Sequence, residues 1–316
     1  MNKLGAFSQW DVLTSHPTPV IEFTLPELNL LAKVEYLQPG GSVKRRIGRA
    51  LLEEMLSSGE ITDKTEFIVE ATAGNTAIAL AEGIRELDLS LKVVAVVKEK
   101  ISKRKIARMK EFGVIPHLIS CELASNPVHG DDPFIMAMKE VCKEYPNSVE
   151  AGQFFREANP RSHEFSTGVE IINQLQEPPD AIILGCGTGG TLTGVARAIR
   201  KEGWKTKIVL ADPVGSIIGP TWLGQVQIAQ STIVEGIGHD VIPPLLDMNL
   251  IDDVVMVPDK DTIQASSELA ALGFSVGLSS AVSWVAARNW AKKQIKRPTC
   301  LVLFADHGSS YIKEEN

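Results

Sequence analysis

Cysteine and histidine are scarce in this sequence, and the few present are scattered. Cys121, Cys142, Cys186 and Cys300 form no C-x-x-C pair and have no histidines at zinc-finger spacing. The six histidines include no i, i+4 pair of the kind a helical metal site uses. No metal is expected, and the thiols are expected to be reduced. Positive charge is also in deficit. Lys and Arg total 32 against 39 Asp and Glu, a formal net charge of −7, so there is no excess to neutralise a phosphate backbone and nucleic acid is not an expected partner. No apolar run approaches the roughly 18 residues of a membrane helix. The start MNKLGAFSQWDVL lacks the apolar stretch of a secretion signal. No membrane is expected as a partner, and the expected setting is cytoplasmic. Internal repeats and low-complexity segments are lacking too.

What is present is enough apolar material for real cores. The chain has 316 residues, 44% of them hydrophobic and 22% charged, which suits about two ordinary domains. Short β-branched runs alternate with longer amphipathic stretches. FIVE at 67–70 precedes AGNTAIALAEGIREL, VVAVV at 93–97 precedes KRKIARMKEFG, and AIILG at 181–185 and KIVLAD at 207–212 flank GVARAIRKEG. That rhythm predicts an α/β fold: two α/β domains with mostly parallel, twisted sheets. A turn-rich stretch at 120–134 is a candidate domain join. The expected division is a smaller domain over 40–145 and a larger one over 1–39 plus 146–316.

Three segments are candidates for chemistry. In QPGGSVKRR (38–46) a Pro-Gly-Gly turn delivers Lys44 to the start of a helical run. A lysine there is either solvated or, if its surroundings keep some amine neutral, a Schiff-base former. In EATAGNT (70–76) small and hydroxyl residues surround Gly74 between a strand and a helix. Such a turn is often only a cap, yet helix N–H groups with the Thr72 and Thr76 hydroxyls also suit a carboxylate. In GCGTGGT (185–191) a glycine-dense loop opens a helix, which suits a phosphate. The last segment also satisfies G-x-G-x-x-G, with Asp212 at 22 residues past Gly190 at the end of the next strand. A nicotinamide-dependent dehydrogenase is therefore an open alternative.

Taken together and in this order, the segments resemble the cysteine synthase and cystathionine β-synthase family of pyridoxal-phosphate enzymes, whose fold is the tryptophan synthase β-like type. The resemblance covers nearly the whole chain, from Thr18-Pro19-Val20 through QFFREANPRSHEFSTGVEI (153–171) to ADHGSSY (305–311). It implies that Lys44 is the catalytic lysine carrying pyridoxal 5'-phosphate. It further implies that Gly187, Thr188, Gly189, Gly190 and Thr191 cradle the phosphate and that Asn75 bonds the ring hydroxyl oxygen. Thr72, Ala73, Gly74, Thr76 and Gln153 would hold the substrate carboxylate. His307 stands where the family carries a serine bonded to the pyridine nitrogen. DPVGSI (212–217) and VEGIGHDVIPPLLD (234–247) look closer to cystathionine β-synthases, with His239 near the active-site mouth.

The implied reaction is β-replacement or β-elimination on a serine-like donor (O-acetylserine, O-phosphoserine, serine or cysteine). A thiol nucleophile would give cystathionine or cysteine. A homodimer is implied, as is a catalytic core without a haem-binding extension or regulatory module. Three departures stand beside the matches: Ala73 for the usual serine, Arg45 for a common aspartate, and GLSSAV at 277–282 for G-G-S-S-G. With His307, they leave room for a cofactor-binding relative without turnover, acting by binding.

Overall fold

A computed structural model of the chain describes residues 17–120 and 133–308. The described chain opens on an antiparallel pair, β1 (Val20–Thr24) and β2 (Asn29–Val34). A turn at Pro39–Gly41 follows, and α1 (Arg45–Ser57) begins directly after Lys44. Then come β3 (Phe67–Ala71), α2 (Asn75–Glu86), β4 (Lys92–Lys98), α3 (Lys103–Glu111), β5 (Ile115–Ile119), α4 (Pro133–Glu144) and β6 (Ser148–Glu150). Their strands pair in parallel in the order β5-β4-β3-β6.

Helix α5 (Ala158–His163), a π-helical turn (Glu164–Gly168) and α6 (Val169–Gln174) lead back to a second sheet. That sheet adds β7 (Ala181–Gly185), β8 (Lys207–Pro213), β9 (Asp253–Val257) and β10 (Thr299–Phe304) to the opening pair. The order is β1-β2-β10-β7-β8-β9, and every pairing but β1–β2 is parallel. Its crossover helices are α7 (Gly190–Lys201), α8 (Ile218–Trp222), α9 (Asp259–Ala271) and α10 (Leu278–Ala291).

The patterning explains the layers. Strands β4 and β8 are buried on both sides along continuous apolar runs, as parallel strands between helices must be. Helix α7 buries Leu192, Val195, Ala196 and Ile199, one face at helical spacing, against β7 and β8. On the opposite face of the same sheet, Trp284 of α10 packs edge-on to Phe23 with ring centroids 5.1 Å apart, and Phe304 lies beside both. Around the smaller sheet, α1, α2 and α3 enclose one core and α4 covers the other face.

The expected domain limits need one correction. β6 pairs with β3, so the four-stranded sheet extends to Glu150 rather than stopping at 145. The turn-rich stretch at 120–134 falls between β5 and α4 of that sheet and joins no two domains, although 121–132 lie outside the described residues.

Candidate active site

In parallel sheets, loops at the carboxyl ends of the strands gather at one edge. Here the loops after β3, β7 and β10 converge with the turn before α1 on one cavity of about 510 Å³. Lys44 lines it and faces Thr72, Ala73, Asn75 and Thr76 from one loop, with Gly187, Thr188, Gly189 and Thr191 from another. The backbone fixes the lysine: the N–H of Val43 donates to the Ala305 carbonyl at 2.7 Å, tying the turn to the end of β10. Burial lowers the pKa of the Lys44 amine, and the charge of Asp306 in the same cavity works against that shift. Such a shift favours the neutral, nucleophilic amine relative to an exposed lysine.

The glycine loop is shaped by close approach. Gly189 has φ 86, and a Cβ there would stand 2.5 Å from the Leu246 nitrogen. A Cβ on Gly190 would stand 1.9 Å from Asn159 Oδ1. Asn159 itself donates to Thr188 Oγ1 at 2.9 Å and to the Gln153 carbonyl at 2.7 Å. Behind Thr191, buried His163 contacts Thr191 Oγ1 through Nε2 at 3.1 Å and Thr167 Oγ1 through Nδ1 at 2.8 Å. Burial pushes the His163 pKa down to about 3, with Arg46 and Lys44 adding to the effect. The imidazole is therefore neutral. Gly190 opens α7, so the helix N-terminus and its unsatisfied N–H groups meet the cavity at this loop.

In the other loop, Thr72 Oγ1 accepts from the Gly74 N–H at 3.0 Å, and the Thr76 hydroxyl donates to Gln153 Oε1 at 2.7 Å. Asn75 Nδ2 donates to Asp306 Oδ2 at 2.9 Å. Gly74 and Gly190 act through the backbone of their loops and do not line the cavity.

His307 needs a correction. It lies in an extended stretch after β10 in which Asp306 pairs with Ser42 and His307 with Val276. Successive residues of such a stretch point to opposite sides, so Asp306 enters the Lys44 cavity and His307 turns away. The ring of His307 packs edge-on to Tyr36, centroids 5.5 Å apart, and lines a second cavity of about 380 Å³ with Arg104 and Arg108. The polar side chains that share the Lys44 cavity near β10 are Asp306, Ser279 and Ser283.

Sequence reasoning missed those three, together with Asn159, His163 and Glu70. Asn159 and His163 sit in the quoted 153–171 block, where a polar residue inside a predicted helix was the available signal. At the cavity mouth that reasoning named His239 and missed the charged residues around it. There Lys98, Lys100 and Lys105 meet Glu235, His239 and Asp240, Lys105 pairs with Glu235, and His239 packs edge-on to Phe154 with centroids 5.9 Å apart.

Asp212, the residue a dehydrogenase would use on a ribose, is fully buried and accepts from the Gly219 N–H at 2.8 Å. It does not line the cavity. Among the described residues no group of His, Cys, Asp or Glu is arranged to hold a metal, and no helix is long and apolar enough to cross a membrane.

A fold of this kind, with an enclosed lysine between a phosphate-type glycine loop and a small-residue loop, defines a pyridoxal-phosphate enzyme. The family described as pyridoxal-phosphate dependent enzyme matches residues 13–306. Cysteine synthase B of Campylobacter jejuni is 34% identical over 87% of this chain and 88% of its own length. Cystathionine β-synthase of Apis mellifera is 31% identical over 96% of this chain but only 60% of its own length. The solved O-acetylserine-dependent cystathionine β-synthase of Helicobacter pylori superposes with a TM-score of 0.83 at 31% identity, covering 97% of each chain. The chain belongs to the cysteine synthase and cystathionine β-synthase group of pyridoxal-phosphate-dependent enzymes.

Proposed function

We propose that the chain replaces the β-substituent of a serine-like amino acid with a thiol, with Lys44 as the residue that carries pyridoxal 5'-phosphate and moves the proton. The observation that carries this reading is Lys44 itself. It is the lysine held by backbone bonding at the convergence of both loops, with its amine pKa lowered by burial. The residues present fit the cofactor. The α7 N-terminus and the Thr188 and Thr191 hydroxyls suit its phosphate, and Asn75, which lines the same cavity, would hold a ring substituent. When bound, the cofactor withdraws electrons from the substrate Cα and acidifies the hydrogen there.

The chain's own residues supply the rest. Thr72 to Thr76 and Gln153 hold the donor carboxylate, which fixes the Cα–H bond towards Lys44. Lys44 Nζ takes the proton from Cα, the β-substituent leaves Cβ, and a thiol adds to Cβ. The proton then returns from Nζ to Cα. Neutral His163 orients the Thr191 hydroxyl without bringing a third cation to Lys44 and Arg46.

For the donor we favour O-acetylserine, the donor named for the H. pylori relative. For the nucleophile we favour homocysteine. The mouth offers Lys98 and Lys100 beside Glu235 and Asp240, both signs needed by a zwitterionic thiol, whereas sulfide needs neither. A cytoplasmic homodimer completes the proposal and rests on the family alone.

Purified protein loaded with the cofactor should show visible Schiff-base absorption that borohydride removes, and Lys44→Ala should lack it. A wild-type-like band in that variant would overturn the assignment. With O-acetylserine and equal thiol concentrations, cystathionine from homocysteine is expected to exceed cysteine from sulfide. Cysteine without cystathionine reverses the choice of nucleophile, and a yellow protein with neither product marks a binding protein.

A further inference from the structure

Glu70 is the last polar residue of β3, immediately before the loop at 72–76, and it is 1% exposed. Both of its carboxylate oxygens accept from Gln153, and the neighbouring Gly152 N–H adds a further bond. Oε2 accepts from the backbone N–H of Gln153 and Oε1 from Gln153 Nε2, each at 3.1 Å. The second Nε2 hydrogen goes to the Ala71 carbonyl at 2.9 Å, and Gln153 Oε1 accepts from the Thr76 hydroxyl at 2.7 Å. Two acceptors at one end of the amide and a donor at the other leave no ambiguity about which end is nitrogen.

These two N–H bonds differ in strength. A bond to a carboxylate is about twice as strong as one to a neutral carbonyl. The bond to Ala71 is the shorter, 2.9 against 3.1 Å, but with Glu70 ionised an arriving carboxylate would exchange with the neutral carbonyl rather than with the charged acceptor. We propose that Glu70 is a positioning residue for donor recognition: it holds one N–H of the Gln153 amide so that the other is the one passed to the donor carboxylate. This rests on the reading above that Gln153 and the 72–76 loop receive that carboxylate. Without Glu70 the amide must be ordered at the moment of binding, and affinity falls accordingly. Burial raises the Glu70 pKa to about 7 against the lowering effect of the Gln153 and Gly152 N–H groups, and Glu150 adds to the rise. The experiment therefore belongs well above pH 7, where Glu70 is ionised.

The test is a double-mutant cycle on the cofactor-loaded enzyme, with donor affinity read from the change in visible absorption on titration with O-acetylserine. Glu70→Gln keeps the shape but offers one acceptor oxygen in place of two. It should raise the donor dissociation constant about tenfold while leaving the donor-free spectrum unchanged. In a Gln153→Ala background the same substitution should add nothing, because the residue it acts through is gone. A merely structural role predicts an equal loss in both backgrounds. That result, or wild-type affinity in Glu70→Gln, overturns the proposal. If Glu70→Gln does not fold, Glu70→Asp, which withdraws the acceptors by one methylene, goes through the same cycle with the same expectations. If Gln153→Ala alone binds the donor as wild type does, the carboxylate reading fails and Glu70's role with it. If Gln153→Ala weakens binding and the Glu70 variants do not, only Glu70's role falls.

Discussion

At the scale of residues, protonation states decide more than identities. His163 has an ordinary pKa of 6.5 that burial lowers to about 3 in the folded chain. The unfolded chain therefore binds this proton at a pH where the folded chain does not. The neutral ring's contribution is fully present above pH 6.5 and is lost progressively as the pH falls from 6.5 towards 3. Within that window the loss approaches about 1.4 kcal/mol per pH unit from this residue. Denaturant unfolding of wild type and His163→Gln across the window should show the wild-type stability falling more steeply with acid. Parallel slopes would mean the ring is protonated in the fold.

The residues that the sequence offered and that the structure gathers on one cavity are local ones: Lys44 after its turn, Thr72, Ala73, Asn75 and Thr76 before a helix, and Gly187, Thr188, Gly189 and Thr191 at another. Asp306 and Glu70 were not legible, because their partners lie far along the chain, as Asn75 does from Asp306 and Gln153 from Glu70. His307 was placed by likeness of position, and the opposite facing of neighbouring residues in an extended stretch sends it to Tyr36.

At the scale of elements, a buried set of charges joins four segments that sequence patterning treats separately. Arg46 at the start of α1 donates to Glu35 after β2 at 2.6 and 2.8 Å, and to Glu170 of α6 at 2.6 and 2.8 Å. Lys33 of β2 donates to Glu170 at 2.7 Å and to Gln174 at 2.8 Å, and the Thr18 hydroxyl donates to Glu35 at 2.7 Å. Burial raises the Glu35 pKa, but Arg46, Lys33 and Thr18 more than reverse that and hold it below its usual value. Two cations and two anions balance, so the cost of taking them from water is met by pairing only while all four remain. Arg46→Met leaves Lys33 as the one cation facing two buried carboxylates and should lower unfolding free energy by roughly 3–5 kcal/mol, read from the denaturant midpoint. A loss within the ~0.5 kcal/mol typical of surface changes would show that the set contributes no more than exposed charges do. Apolar periodicity made most strands and helices readable. A three-residue strand such as β6 gives too short a pattern, and charged residues in an apolar setting contradict the pattern by which cores are recognised.

At the scale of the whole molecule, the class of the fold was legible and its division only approximate. Alternating strand and helix signals fixed the parallel character of both sheets, while the limit at 145 fell short because β6 carries almost no signal. The proposed homodimer is checked by sedimentation: a single species near twice the 34.3 kDa chain mass is expected, and a monomer at assay concentration would remove it from the proposal.

The separation of the two sheets has a mechanical consequence. Among the described residues no strand ladder runs from one sheet to the other, and the chain passes from the large sheet to the small one before β3 and returns after β6. The loop assigned to the donor belongs to one plate, and the glycine loop and Asp306 belong to the other. Polar contacts between them, including Asn75 to Asp306 and Lys105 to Glu235, act as a clasp along the rim. Each can be exchanged for water or for a bound ligand while every rung of both ladders stays intact. The molecule is in this sense a hinged case: a movement along the rim would release the clasp and leave both plates whole.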